Sequence, residues 1–433
     1  MYKRHIISVA LAVLVALSSW AVIPASRADA ATGEEIEQSI EAGLAWLATQ
    51  QNTVDGSWGT SARVSHTGLA VLAFEINAAA MGMSPLDQGY TYKQVVEDGL
   101  NYIFSQLESV PIAVQPAGDP DTNANGIGVR AMAWDSYHYI YEAACALMAI
   151  AASNEPSMIV AVGSQAGRSF ADVAQDMVDY FAWAQNEGGS ARGGWGYFEN
   201  DSTSSSDNSN AGYATMALGF AAAPAPYGMG LTIPAFVFTE MAYWVAFIQN
   251  TDGGSGYQLP NSWVNVLKTG NLLQQMAMIG YTVNTPQTQA AIDYIQNHWN
   301  DANQDPGWGK TGSVNYQATF TIMKGFRSMG IEFIDTGSGP FSWYDEMADR
   351  IVNTQDSAGW WPSDSWGNPI LTTAWAILTL QKAVPEPAAP RRVAVGGTAV
   401  SADKLIIVLP WIGLAAIAAG TSLLVLRRRR AQS

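Results

Sequence analysis

Apolar and polar positions along this chain fall into long apolar blocks separated by polar, glycine-rich turns. Between Trp46 and Phe74 one apolar run stops at Gln50-Gln51. A polar turn closes on Asp55-Gly56-Ser57-Trp58-Gly59, and a more apolar run starts near His66-Thr67. The runs are long enough to predict helices, joined by a Gly-Trp turn. The first such unit spans about Glu35 to Met81. Later first helices are expected near Val95 to Leu107, Ala171 to Gln185, Phe238 to Gln249, Gln287 to Asn297 and Glu346 to Gln355. Their partners are expected at Asp135 to Ala152 and from about Asp207, Thr269, Asn315 and Leu371. Most pairs are joined through turns such as Gly193-Gly194-Trp195-Gly196-Tyr197, Gly253 to Tyr257, Gly307-Trp308-Gly309 and Gly359-Trp360-Trp361. Six helix pairs repeated along one chain must bury their faces against one another.

The two helices of a pair differ in polarity. Ala70 to Phe74, Ala144 to Met148 and Ala214 to Leu218 are apolar nearly all round, whereas Glu34 to Leu47 and Asp172 to Ala184 carry charge on one face. The second helix of each pair is therefore inner and the first outer. The predicted fold is all-α, an (α/α)6 toroid over 31–383. The motif Gly43-x-x-Trp46-Leu47-x-x-x-Gln51-x-x-x-x-Gly56-x-Trp58 resembles the repeat of squalene–hopene cyclases and the wider prenyltransferase-repeat family. Phe181 to Gln185 with Gly194 to Tyr197, and Trp244 to Gln249 with Gly254 to Tyr257, are looser copies. The resemblance covers roughly residues 35 to 383 and implies a terpenoid cyclase-like toroid with a central aromatic-lined cavity. The turns themselves read as structural: glycine permits a positive-φ turn, glutamine can satisfy helix-end groups, and tryptophan buries a large apolar area.

The ends carry different patterns. Lys3 and Arg4, an apolar run from Ile6 to Val22 and Ala28-Asp29-Ala30 predict a secretory signal over 1–30. Leu405 to Leu426 is uncharged, and about 1.5 Å per residue lets it cross a core of roughly 30 Å. Arg427 to Arg430 follow, which places the tail 427–433 in the cytoplasm. A Pro/Gly linker at 384–404, with Pro385, Pro387 and Pro390, separates toroid from membrane; with the tail it resembles a prokaryotic sorting signal. The expected topology is single-pass type I with the toroid extracellular.

Composition sharpens the picture in two respects. Eleven of 21 basic and 35 of 37 acidic residues lie between 31 and 390, a net charge of −24 for that segment. Such a surface repels nucleic acid, which is excluded as a partner. Cys145 is the single cysteine, so no disulfide and no cysteine-based metal cluster can form within the chain.

Candidate chemistry belongs where the N-terminal ends of the inner helices converge. Those ends carry Arg63 and His66, Asp135 and His138, Asp207 and Asn210, Lys268 and Asn271, Asn315 and Tyr316, and Thr372 and Thr373. Several of these are also helix caps. Asp135, His138 and Asp207 are the catalytic candidates. His66, Trp134, Tyr137, Tyr213, Lys268, Tyr316 and Trp375 are the ligand-binding candidates. If helical, Asp135 and His138 share a face, where a carboxylate sets the imidazole's tautomer and raises its pKa. Asp135-Ser136-Tyr137-His138 also resembles the segment in which protein prenyltransferases place a zinc histidine; the companion Asp-x-Cys segment is missing, so zinc is not expected. The Asp-x-Asp-Asp motif by which the family's cyclases protonate an alkene is missing too. Calcium is a candidate cofactor at Asp121, Asn123 and Asn125 and at Asp301, Asn303 and Asp305, whose alternating oxygen donors lack the closing glutamate of an EF-hand. Three functions remain open. The first is an apolar, isoprenoid-like ligand with non-standard cyclase or transferase chemistry. The others are a non-catalytic binding or scaffold toroid and a polysaccharide-active toroid.

Overall fold

The computed structural model describes residues 30–132, 137–199, 206–301, 303–310 and 313–385. The expected signal over 1–30, except for its last residue, and the expected span at 405–426 and tail at 427–433 lie outside them. No helix among the described residues is long and apolar enough to cross a membrane.

Twelve α-helices alternate outer and inner among the described residues. The outer ones are α1 (Gly33–Thr49), α3 (Lys93–Ser105), α5 (Phe170–Ala184), α7 (Ala235–Ile248), α9 (Pro286–Asn297) and α11 (Trp343–Asn353). The inner ones are α2 (Arg63–Ala80), α4 (Tyr139–Ala152), α6 (Asn208–Ala222), α8 (Val266–Met278), α10 (Tyr316–Met329) and α12 (Pro369–Leu380). Each inner helix packs on the next, α2 on α4 and so on to α10 on α12, and α12 packs back on α2. The inner ring is closed. Its helices are buried nearly all round, as in α4, where every residue from Ala143 to Ala151 is at most 1% exposed.

The glutamines show how the ring is fastened. Gln51 Nε2 donates to the Gly56 carbonyl in its own turn and to Val95 O in α3, both at 2.9 Å. Gln185 Nε2 does the same to Gly193 O and Val237 O, and Gln249 to Gly253 O and Gln287 O. Gln355 Nε2 donates to Gly359 O and to Ser39 O in α1, both at 2.8 Å, joining the last repeat to the first. Each amide thus ties one turn to the following outer helix, a role between repeats rather than at a single helix end. The tryptophans anchor the turns inward: the Trp58, Trp195, Trp308 and Trp361 indoles donate to carbonyls of Leu47, Phe181, Trp299 and Ile351 at 2.7–2.9 Å. Full burial of each is worth on the order of 4–6 kcal/mol at 25 cal/mol per Å². The Trp58 and Trp361 backbone amides then donate to Thr67 and Thr373 Oγ1, stitching turn to inner helix.

Three features depart from the expected all-α pattern. The second outer helix ends at Ser105, and Leu107–Pro111 forms β1, paired antiparallel with β2 (Ile127–Ala131) against α5. Two shorter hairpins, β3 (Gly309–Lys310) with β4 (Ser313–Val314) and β5 (Phe333–Asp335) with β6 (Pro340–Ser342), lie in later loops. The inner helix of the second pair begins at Tyr139, with His138 as its N-cap at φ −93°, ψ 42°.

One inner-ring carboxyl is spent neither on a cap nor on an ion pair. Glu75, on α2, is 1% exposed, and neither carboxyl oxygen has a hydrogen-bond partner among the described residues. Burial holds its pKa well above the usual carboxylate range. A raised folded pKa makes the group's contribution greatest below the unfolded value and lost as pH rises. Glu75→Gln is therefore expected to stabilise more at pH 8 than at pH 4 in paired denaturant titrations. An equal effect at both would mean that burial does not shift the carboxyl's pKa.

Candidate functional site

The first turns of the inner helices enclose a cavity of about 390 Å³ at one end of the ring. A regular stripe faces it: Ser65, His66 and Leu69 from α2, Tyr141, Glu142 and Cys145 from α4, and Ser209 and Tyr213 from α6. Leu267 and Lys268 from α8, Gln317 from α10 and Leu371 and Trp375 from α12 continue it. On α2 and α4 these are the third, fourth and seventh residues after the cap, the spacing that keeps side chains on one helix face. Tyr197, Tyr257, Trp263 and Trp366 enter from the loops before the inner helices.

Of the residues predicted for the site, His66, His138, Tyr213, Lys268 and Trp375 line this cavity. His66 is 4% exposed, with Nδ1 2.9 Å from Ala62 O and Nε2 2.9 Å from Asn368 Nδ2. The amide must donate to Nε2, so Nδ1 carries the proton and the ring is neutral. Burial lowers its pKa against the upward pull of both bonds. His66 thereby joins α2 to the cap of α12. His138 sets its ring edge-on to Tyr197 at 4.9 Å, and Tyr137, 44% exposed, stacks on the same tyrosine at 4.7 Å. Trp375 Nε1 donates to Tyr213 Oη across the cavity wall at 3.2 Å. Lys268 Nζ lies 3.7 Å from the centroid of the Trp263 ring.

The other candidates are placed differently. Asp207 caps α6: Oδ1 accepts from the Ser209 and Asn210 amides at 2.9 Å, and Oδ2 accepts from Asn210 Nδ2. It is fully buried, with its pKa raised by burial, and does not line the cavity. Tyr316, the first residue of α10, turns outward and donates to Thr354 Oγ1 at 3.1 Å. Trp134 and Asp135 lie outside the described residues. His138 is the N-cap of α4 and stands just ahead of its first helical residue, Tyr139.

In the first candidate calcium loop the side-chain oxygens are engaged within the protein. Asp121 accepts from the Asn125 and Gly126 amides, while Asn123 and Asn125 turn their Nδ2 groups onto Asp176 of α5. Thr122 donates from N and Oγ1 to Asp179, whose carboxyl burial pushes up to about 6. Asp301 accepts from the Asn303 amide and faces His298 Nδ1 at 3.1 Å, and Asp305 offers its backbone carbonyl to Asn265. Among the described residues no group of three or more His, Cys, Asp or Glu side chains is placed to hold a metal.

Several lining residues were not among the expected ones. Glu142 is the single charged residue of α4 and accepts from Ser65 N at 2.6 Å and Ser65 Oγ at 2.9 Å. Ser262-Trp263-Val264-Asn265 and Ser365-Trp366-Gly367-Asn368 repeat a Ser-Trp-x-Asn pattern in which Asn caps the inner helix. The two tryptophans meet over the mouth at 5.7 Å, 41% and 55% exposed.

No protein-family model and no curated protein matches this sequence. Among solved structures, the type II terpene cyclase MstE from Scytonema without ligand matches at 12% identity and a TM-score of 0.47, over 82% of this chain and 99% of that one. A variant of the same cyclase with geranylgeranyl dihydroxybenzoate matches at 12% identity and a TM-score of 0.45, over 81% of this chain and 97% of that one. The superpositions are loose, and the architecture rests on the closed helix ring itself.

Proposed function

We propose that this toroid binds an apolar, isoprenoid-like small molecule in its central cavity, as an exported protein tethered by its C-terminal apolar run. The observation that carries the ligand class is the lining. The volume suits a small ligand, and its walls combine Tyr141, Tyr197, Tyr213, Tyr257, Trp263, Trp366 and Trp375 with few polar groups. Aromatic faces accept both hydrocarbon chains and cationic centres, so the same lining suits binding alone and cyclase- or transferase-type chemistry. His138 and Glu142 are the cavity residues from which proton transfer is proposed. Untargeted mass spectrometry of an organic extract from the purified full-length chain tests the reading. A co-purifying isoprenoid, released in a fixed ratio to protein, is expected. An extract free of apolar molecules, with no gain in melting temperature on adding farnesol, would sink it.

A further inference from the structure

Lys268 is set apart from the other cavity groups. It is the third residue of α8, 3% exposed, and its amine has no hydrogen-bond acceptor among the described residues. Its near neighbour is the Trp263 ring face at 3.7 Å. Trp263 is held there with φ at +50°, in the left-handed region that a tryptophan adopts only when its surroundings impose it. Burial pushes the amine down to about 7, with Asp305 pulling the other way. An amine in this setting is neutral and nucleophilic in a large fraction of molecules at neutral pH.

We propose that Lys268 is a covalent carbonyl-capture site, forming a Schiff base with an apolar aldehyde held in the cavity. The amine nitrogen attacks the aldehyde carbon, and the C=O bond becomes a C–O bond in a carbinolamine. The oxygen then leaves as water as the C=N bond forms, with no change in oxidation state. The imine nitrogen, once it takes a proton from solvent, is a cation over the same Trp263 face, which favours cations. The inference rests on the apolar-cavity reading and narrows its ligand to one bearing a carbonyl.

Lys324 supplies the internal control. It is also buried, with its pKa likewise near 7, but it lies behind the wall among Tyr213, Phe320 and Gly212 O and does not reach the cavity. Lys93 is the surface reference, paired with Glu97 at 2.9 Å. The experiment treats the full-length chain with geranial and cyanoborohydride at pH 7.5 and maps reduced adducts by peptide mass spectrometry. Lys268 is expected to be modified at least about tenfold faster than Lys93, on the ground of its larger neutral fraction, with Lys324 unmodified. Geraniol, which lacks the carbonyl, is expected to compete with labelling. Lys268→Arg is expected to abolish the adduct. Modification of Lys268 no faster than of Lys93 overturns the proposal. If geraniol still stabilises the chain in that case, only the covalent step fails; if it does not, the cavity reading fails as well.

Discussion

Lys324→Met is expected to stabilise the folded chain at pH 7 by on the order of 4 kcal/mol. The lysine is fully buried on α10, 3.5 Å from the Gly212 carbonyl, and no carboxylate pairs with it among the described residues. Burial lowers its pKa from 10.5 to about 7, so the folded state holds it neutral where the unfolded chain is still protonated. The unfolded state then binds more protons between those two values, and stability rises with pH across that window. The penalty is absent above 10.5, grows as pH falls and levels off below 7. Methionine has similar length and no charge, so the gain is expected to be largest at pH 7 and to shrink toward pH 10. Chemical denaturation at both values measures it. A gain that does not change with pH, or a loss, would show that the amine is compensated in a way the packing does not reveal.

The second large effect is a loss. Gly193 has φ +81° in the turn that precedes Trp195, and a Cβ placed there would lie 1.8 Å from the Glu240 carbonyl oxygen on α7. Gly193→Ala must strain the backbone and push apart the two segments that Gln185 bridges. A destabilisation of roughly 4 kcal/mol or more is expected. Gly167 is the control: its φ is +89° but nothing lies within 4 Å of its missing Cβ. Gly167→Ala carries the backbone term alone, about 1–2 kcal/mol. Equal losses at the two positions would contradict the account of the turn as a close-packed joint between repeats.

The contrast between these positions shows what the sequence could reveal. Helix pairs and Gly-Trp turns were legible because their signals are local: apolar blocks at helical length, and glycine and tryptophan at fixed distances from glutamine. What Gln51, Gln185, Gln249 and Gln355 bind was not legible, because one partner of each lies in another repeat. The site was half legible for a geometric reason. Polar residues at the helix starts were the candidates, but Asp207 is spent on capping its helix and Tyr316 on a bond to Thr354 at the end of an outer helix. Apart from the caps Ala62 and His138, the inner helices give the cavity residues from the second position onward, where the side chains of one stripe point inward. Lys268, Tyr213 and Trp375 fall on that stripe, and so do Tyr141 and Glu142, which apolar context concealed. Trp263 and Trp366 sit in loops, where no periodicity marks them. Their repeated pattern before a capping asparagine becomes informative only once the mouth is seen.

The buried ionisable groups share one consequence. Glu75 and Lys324 sit on the inner ring, and both oppose folding at neutral pH, one increasingly as pH rises and the other as it falls. The apolar ring and its staples offset them, and each Gln–carbonyl pair adds roughly 1 kcal/mol per hydrogen bond. Groups of this kind are retained at a thermodynamic loss, and their removal is expected to leave a more stable ring whose ligand response can be compared with the parent's.

Ligand-dependent melting of the full-length chain, compared with Leu371→Trp, tests the central claim most directly. Leu371 lines the cavity at the start of α12 and is half-buried, so the larger side chain fills the space while leaving the ring's joints untouched. Farnesol at about 100 times its Kd should stabilise the parent by about 2.7 kcal/mol, a rise of several degrees in Tm, and should barely move the variant. Equal shifts in the two proteins, or none in either, would contradict an apolar ligand site at the centre of the ring.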